Sequence, residues 1–209
     1  MAKDSDTEVR ILNAARAVFI RNGTAGARMQ EIAEEAGVNQ ALLHYYFRSK
    51  ERLSEAVFTE AAGRMFPAII AILGGDLTLE EKIDRIVDTY LDAMSRSPFL
   101  PGYILSELHH HPERMTKMID SLAGKNLFSA VIPVMEKLDK QLASEARKGH
   151  IRRISAQQFF VNLLSLCVFP FAARPMLRAA FDLDDDGFAR LIATRRKELP
   201  QFIRNGLRP

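Results

Sequence analysis

Cysteine and tryptophan are scarce in this 209-residue chain, which has one cysteine and no tryptophan. The single Cys167 excludes an internal disulfide framework and is typical of a reducing cytoplasm. The first ten residues are polar and acidic and lack the basic and then apolar order of a secretory signal. The longest apolar run, residues 159–173, is interrupted by Asn162 and Pro170 and is shorter than the roughly 20 residues of a membrane span. We therefore expect a cytoplasmic protein without a membrane segment.

A large excess of basic residues is also missing. The net charge is +3, and the first 55 residues carry as many acidic as basic side chains. The positive excess lies in the last 23 residues, whose Arg190, Arg195, Arg196 and Lys197 we expect on a solvated helix face. Net charge alone therefore does not predict nucleic-acid binding, and any such prediction must rest on where particular side chains point.

Strand-like alternation is absent, and nearly every apolar pattern has the period of a helix. Residues 11–19 form the first stripe, and residues 83–94 form a clean amphipathic helix behind the capping box at 78–81. The pattern predicts an all-α fold of about nine helices, with interruptions at Pro170 and Pro175. Short, closely punctuated helices give way to long ones near Leu53, so we predict domains at 1–53 and 54–209.

Residues 29–47 have the spacing of a helix-turn-helix. Two short helical patterns flank Gly37-Val38-Asn39, where glycine suits a left-handed helix end and asparagine suits an N-cap. On the second helix, Leu43 and Phe47 lie one turn apart and should face inward. The opposite face, which includes His44 and Tyr45, should then point outward.

The outward side chains have the chemistry of a major-groove surface. Gln40 can pair with an adenine edge, and Ala41 or Leu42 can meet a thymine methyl group. His44 and the two tyrosines can donate to phosphate oxygens. The predicted contacts with double-stranded DNA are Arg28, Gln30, Asn39, Gln40, Ala41, Leu42, His44, Tyr45, Tyr46 and Lys50. From spacing alone, an ordinary solvated surface over a small helical subdomain remains an equal alternative.

Residues 7 to about 58 resemble the amino-terminal domain of the TetR/AcrR family of bacterial transcription regulators. The shared frame is IL-x-x-A-x-x-x-F-x-x-x-G in the first helix, IA-x-x-A-G-V in the second, and L-x-Y-x-F-x-S-K-x-x-L at the end. The chain departs from the family at Ala27, where threonine or serine usually caps the second helix. It also departs at Leu42, and it departs at His44 because tyrosine is usual at that second position. The operator sequence of another family member therefore cannot be transferred to this chain.

The resemblance implies a three-helix helix-turn-helix domain followed by a larger helical domain for ligand binding and dimerisation. It implies a homodimer paired through the last two helices, and the broad apolar surface of the helix starting at Ser155 suits such pairing. It also implies a repressor, without a cofactor or enzymatic activity, that an unidentified small molecule relieves. Candidate pocket residues are Phe66, Tyr90, Met94, Tyr103, Glu107, Met135, Phe159 and Leu163. For the apolar and aromatic members, packing in the core is the more common role of such residues on a helical stripe.

The alternative function is a helical metal-binding or small-molecule-processing protein. Glu107 and His110 form a Glu-x-x-His pair within residues 107–112, the spacing found in carboxylate-bridged metal bundles. Such bundles need a second pair, and neither His44 nor His150 has an acidic residue three positions earlier. We therefore predict no metal site. No glycine-rich phosphate loop or nucleophile motif points to an enzyme.

Overall fold

The computed structural model describes the backbone of residues 2–123 and 127–209, and the side chains within them outside residues 2–5, 114, 119, 121–123 and 127–130. Helices occupy most of this part of the chain. They are α1 (Ala2–Gly26), α2 (Met29–Glu35), α3 (Gln40–Phe47), α4 (Lys50–Gly74), α5 (Leu79–Arg96), α6 (Leu100–His110), α7 (Pro112–Ala123), α8 (Leu127–Arg147), α9 (Ala156–Ala172), α10 (Arg174–Ala180) and α11 (Asp185–Gly206).

The all-α prediction is confirmed, although the described residues contain eleven helices where the sequence predicted about nine. Part of the difference is α10, a short helix that the sequence pattern does not predict. Gly23 has φ 67° and kinks α1.

The predicted interruption of the ninth helix at Pro170 is wrong, because α9 continues to Ala172. Proline has no N–H to donate to the carbonyl four residues earlier, which here belongs to Leu166. The guanidinium of Arg195 donates to that carbonyl instead, from Nε at 3.1 Å and from Nη2 at 2.7 Å. A side chain of α11 therefore satisfies the acceptor that Pro170 leaves open. Pro175 lies at the start of α10, where the missing N–H costs little.

The chain divides into two compact units. One contains Met1–Arg64 and Arg96–Leu122, and the other contains Met65–Ser95 and Ala123–Pro209. The predicted domain boundary at residue 53 falls inside α4 and stays a prediction.

The first unit is built around aromatic side chains from α1, α4 and α6. Phe19 and Phe58 are almost fully buried, and their rings lie 6.0 Å from Phe99 and 5.3 Å from Tyr103, respectively. The predicted stripe of α1 is buried at Ile11, Ala15, Val18 and Phe19. This core holds the helix-turn-helix segment, since α1 packs against both α2 and α6.

The second unit contains a buried lysine. Lys82 is 1% exposed, and its ammonium donates to the carbonyl of Leu73 at 2.6 Å and to Oε1 of Gln141 at 2.8 Å. Lys137 donates to the next carbonyl, that of Gly74, at 2.7 Å. Two lysines therefore satisfy the last carbonyls of α4, which have no partner within the helix. Burial lowers the pKa of Lys82.

Ion pairs connect α11 to α5 in the same unit. Arg196 pairs with Asp88, and Arg204 lies 2.6 Å from Asp84. Arg195 and Arg196, which we expected on a solvated face, are half-buried and have partners within the fold. Both carboxylates lie on α5, about one turn apart, whereas the two arginines lie about two turns apart on α11.

By length and composition, α4 could cross a membrane, and α9 with α10 could do so if the bent pair were one span. Core helices of soluble proteins meet the same test. The sequence pattern pointed to residues 159–173 as the longest apolar run, so the apolar length of α4 was missed.

Candidate DNA-binding site

The turn between α2 and α3 begins with a Schellman motif. The N–H of Gly37 donates to the carbonyl of Glu34 at 3.1 Å, and the N–H of Val38 donates to that of Ala33 at 3.0 Å. Gly37 has φ 63°, a conformation that glycine adopts without a Cβ penalty. The sequence prediction for this helix end is confirmed.

Asn39 caps α3 as its sequence position suggested. Its side-chain oxygen accepts a hydrogen bond from the N–H of Leu42 at 2.7 Å. Leu43 is fully buried and Phe47 is 7% exposed, which confirms the predicted inward face of α3. The cap and the two anchors together fix the rotation of α3 about its own axis.

The predicted contact residues lie on or beside the outer side of α3. Tyr45 is 78% exposed, and its ring meets that of Tyr46 edge-on with the centroids 5.5 Å apart. Tyr46 and Lys50 are half-buried. The exposed members of the predicted set are Arg28, Gln30, Asn39, Gln40, Ala41, Leu42, His44 and Tyr45. That any of these residues contacts DNA stays a prediction.

Several of these side chains already have partners within the protein, and Lys50 and Gln30 are two of them. The ammonium of Lys50 donates to the carbonyls of Ala25 at 3.0 Å and Ala27 at 3.2 Å. The amide of Gln30 donates to Oε1 of Glu34 at 3.0 Å. Lys50 therefore holds the connection between α1 and α2, a role that the sequence did not predict.

The N-cap of α2 lies one residue later than expected. Arg28 occupies the N-cap position with extended backbone, φ −116° and ψ 141°, and makes no side-chain capping bond. Ala27, predicted to stand at the cap, precedes it and is 3% exposed. The predicted loss of a capping side chain is confirmed, but it concerns Arg28.

Arg10 and Arg21 are site residues that sequence reasoning missed. The guanidinium of Arg10 donates to the carbonyls of Ala36 at 3.0 Å and Gly37 at 3.3 Å, so α1 supports the turn. Arg21 lies 2.7 Å from Glu35, which raises the pKa of Arg21, and 3.6 Å from Glu31. These pairs offset acidic charge on α2, where an unpaired carboxylate would repel phosphate. No local sequence signal could have revealed these long-range partners.

The candidate effector residues fall in both units. Tyr90, Met94, Phe159 and Leu163 are buried in the second unit, where Phe66 and Met135 are half-buried. Tyr103 and Glu107 are buried in the first unit. Phe159 and Leu163 also line an open groove of about 330 Å³ between α9 and α11, with Phe202 at its edge. That these residues line an effector cavity stays a prediction.

An exposed apolar surface lies on α9, α10 and α11. Phe169, Phe181 and Phe202 are 54%, 60% and 63% exposed and line one open groove of about 590 Å³. We call these three residues the aromatic face. Exposed clusters of this kind mark interaction surfaces. The aromatic face therefore adds exposed apolar surface to α9, the helix whose broad apolar character suited pairing with a second copy.

Glu107 and His110 differ in environment. Glu107 is 9% exposed, whereas His110 is exposed and its Nδ1 lies 2.8 Å from the carbonyl oxygen of Ser106. The edge of the buried surface of α6 therefore runs between Glu107 and His110. Among the described residues, no three His, Cys, Asp or Glu side chains could hold a metal ion together.

Two protein-family profiles match this chain, one in its N-terminal part and one in its C-terminal part. Residues 11–57 match the profile of the bacterial regulatory proteins of the tetR family, and residues 80–198 match the tetracyclin repressor-like C-terminal domain. The chain is 35% identical over 118 residues to the HTH-type transcriptional repressor SCO4008 of Streptomyces coelicolor. That match covers 54% of this chain and 60% of the length of SCO4008.

Solved structures share the fold. The hemolysin II transcriptional regulator HlyIIR superposes with a TM-score of 0.57 at 23% identity, over 91% of this chain and 97% of that one. A TetR/AcrR regulator from Thermobifida fusca superposes with a TM-score of 0.60 at 17% identity, over 98% of this chain and 100% of that one. The C-terminal profile covers more than half of the chain. The chain therefore belongs to the tetR family of bacterial regulatory proteins, the TetR/AcrR regulators that its N-terminal sequence resembles.

Proposed function

We propose that this protein is a cytoplasmic, sequence-specific DNA-binding transcription regulator. The observation that carries the proposal is the orientation of α3. Leu43 and Phe47 anchor the helix on one side, and Gln40, Ala41 and His44 are exposed on the other. A helix held in this way can enter a major groove with hydrogen-bonding side chains at the base edges. We propose that it represses transcription, since SCO4008 is a transcriptional repressor.

The regulator acts as a homodimer. Two recognition helices read half-sites about 34 Å apart in successive major grooves, which requires two copies of the chain. The aromatic face supplies an apolar surface on which the second copy can pack. A two-fold dimer uses the same patch on both copies, so aromatic side chains would meet aromatic side chains.

A small molecule relieves binding by favouring a conformation that does not fit the operator. Support comes from the buried candidate residues Tyr90, Met94 and Phe159 in the second unit, which combine apolar surface with one phenol group. A ligand that binds both conformations equally would change nothing. Titration of a small-molecule library into the preformed DNA complex would identify compounds that release the DNA.

The test of DNA binding uses the full-length protein and the DNA upstream of its own gene. Fluorescence anisotropy should reveal specific binding that weakens steeply with added salt, because phosphate contacts release counterions. Gln40→Ala and His44→Ala should each reduce the preference for that DNA over an unrelated duplex. Their melting curves should stay close to that of the wild type, because both side chains are exposed.

Lys140→Ala is the matched control, since Lys140 is exposed on α8 and lies outside the helix-turn-helix. It should leave specific binding unchanged. An undiminished preference in both Gln40→Ala and His44→Ala would show that α3 does not read the bases through these side chains. If the wild type showed no sequence preference on either the upstream DNA or a random library, the proposed function as a sequence-specific regulator would be wrong.

A further inference from the structure

The imidazole of His44 is held by the end of its own helix. Its Nδ1 lies 3.1 Å from the carbonyl oxygen of Arg48, while the N–H of Arg48 donates to the carbonyl of His44 at 2.9 Å. Arg48 is the C-cap of α3, with φ 51° and ψ −39°. The carbonyl at the end of a helix has no partner within the helix, so a side-chain donor one turn earlier can satisfy it.

This contact determines which ring nitrogen carries hydrogen. A carbonyl oxygen can only accept, so Nδ1 must be the donor in the bond to Arg48. In the neutral ring the other nitrogen, Nε2, then has no hydrogen and is an acceptor. The expectation that His44 donates to a phosphate would need a second proton on the ring.

His44 belongs to the surface that faces the DNA in the proposed function. His44 is exposed, one turn after the exposed Gln40 and Ala41, and the anchors Leu43 and Phe47 lie on the other side. Gln40 can both donate and accept, so its chemistry fits several bases. His44 in its neutral form offers the groove only a hydrogen-bond acceptor, so it can pair with fewer base groups than Gln40 can.

We propose that His44 is a specificity-determining residue that accepts a hydrogen bond from a base amino group. In the major groove the only donors are N6 of adenine and N4 of cytosine, whereas guanine and thymine present O6 and O4 as acceptors. His44 therefore selects an amino base, adenine or cytosine, over a keto base on the strand that it contacts. The inference rests on the proposed function and adds the direction of one hydrogen bond.

The experiment begins with enrichment of a random double-stranded library by the full-length protein at about pH 8.5, where an ordinary imidazole is neutral. Wild type and His44→Ala are compared. The wild type should enrich one base pair at one position of each half-site, and His44→Ala should lose that preference while keeping the others. Each base pair has one amino base in the major groove, adenine or cytosine, which is the predicted partner of His44. Gln40→Ala is the matched control, and it should relax a different position.

Base analogues then test the hydrogen bond itself. In the enriched duplex, the selected adenine is replaced by purine, or the selected cytosine by pyrimidin-2-one, which removes the amino group alone. Wild-type affinity should fall about 5- to 10-fold, the size expected for one hydrogen bond. His44→Ala should bind both duplexes equally. With adenine, 7-deazaadenine keeps the amino group and should leave the contribution of His44 intact.

Three results would overturn the inference. The first is a loss of the His44-dependent affinity when the keto oxygen of the paired guanine or thymine is removed and the amino group is kept, because it would mean that the ring donates. The second is an unchanged base preference with uniformly weaker binding and a smaller salt slope, which would mean a phosphate contact. The third is an equal effect of the analogue on both proteins. Failure of the wild type to enrich any sequence is distinct, because it would reject the proposed function as well.

Discussion

The ammonium of Lys50 lies 3.2 Å from the carbonyl oxygen of Ala27, and the carbonyl oxygen of Ala25 lies 3.0 Å from the same nitrogen. The first residue of α4 is thereby joined to the segment that leads into α2. The sequence predicts Lys50 at a phosphate because it begins a helix next to the recognition helix. In the structure, the ammonium of Lys50 also donates hydrogen bonds to the two carbonyls that precede the helix-turn-helix.

Lys50→Met should therefore lower both stability and DNA affinity. The free energy of unfolding should fall by about 1–3 kcal/mol, because two hydrogen bonds from a charged donor are lost at a half-buried site. The third ammonium hydrogen remains available for a phosphate, so the slope of log affinity against log salt should fall by about 1. Thermal unfolding and a salt titration of DNA binding measure the two effects.

Lys140→Met is the control for Lys50→Met, because Lys140 is exposed on α8. It should change neither quantity beyond experimental error. An unchanged salt slope in Lys50→Met, together with the loss of stability, would remove Lys50 from the DNA contacts and leave its structural role.

Arg28→Thr should stabilise the protein while weakening its DNA binding. Arg28 is the N-cap of α2, its backbone is extended, and Glu31 stands three residues later. An introduced hydroxyl could accept from the first turn of α2, and such caps contribute about 0.5–2 kcal/mol. The loss of the guanidinium should reduce affinity uniformly across DNA sequences. Chemical unfolding and anisotropy separate the two outcomes.

Arg28→Ala serves as the comparison for this substitution, since it removes the charge without supplying a cap. It should weaken DNA binding to the same extent and leave stability nearly unchanged. Equal unfolding free energies for the threonine and alanine variants would contradict the assignment of Arg28 as the N-cap.

Local signals explain what the sequence could predict. Leu43 and Phe47 belong to the core because the helical period alone puts them on one face, and Asn39 is recognisable as a cap because a cap acts within three residues. The all-α class follows from the same periodicity, repeated along the chain. These features depend on neighbours in sequence, so no knowledge of the tertiary structure was required.

Partners far apart in the sequence explain most of what was missed. Lys82 occupies a polar position in the sequence of α5, yet its partner Gln141 is 59 residues away. Pro170 predicts a helix break because the sequence does not reveal that Arg195, 29 residues beyond Leu166, satisfies the open carbonyl. The tautomer of His44 depends on the conformation of Arg48, which periodicity does not specify. The chemistry of the site was therefore less predictable than its position.

Cys167 should react slowly with a disulfide reagent in the folded protein. Burial raises the pKa of its thiol to about 12, from an ordinary value of 9.0, so the reactive thiolate forms only at strongly alkaline pH. At about pH 8 we expect labelling by 5,5′-dithiobis(2-nitrobenzoic acid) to be at least about 100-fold slower than in denaturant. The signal of the released thionitrobenzoate measures both rates.

The comparison for thiol labelling is Ala143→Cys in a Cys167→Ala background, because Ala143 is exposed on α8. The new thiol should react at a similar rate with and without denaturant. The raised pKa also has a sign in stability. The unfolded thiol loses its proton above about pH 9 whereas the folded one keeps it, so this group's contribution to stability falls as the pH rises from there towards 12.

Phe202→Asp should convert a dimer into a monomer. Phe202 is 63% exposed and belongs to the aromatic face, so an introduced carboxylate would be buried against the second copy without a partner. Sedimentation at micromolar concentration should give one chain for the variant and two for the wild type, with equal helix content by circular dichroism. The matched control is Ile132→Asp, 53% exposed on α8, which should stay dimeric. A dimeric Phe202→Asp would place the interface elsewhere. One α3 can occupy only one of two grooves about 34 Å apart, so a monomer should bind an operator of two half-sites more weakly than the dimer does. A monomeric Phe202→Asp that still bound such an operator with wild-type affinity would show that DNA recognition does not depend on dimerisation.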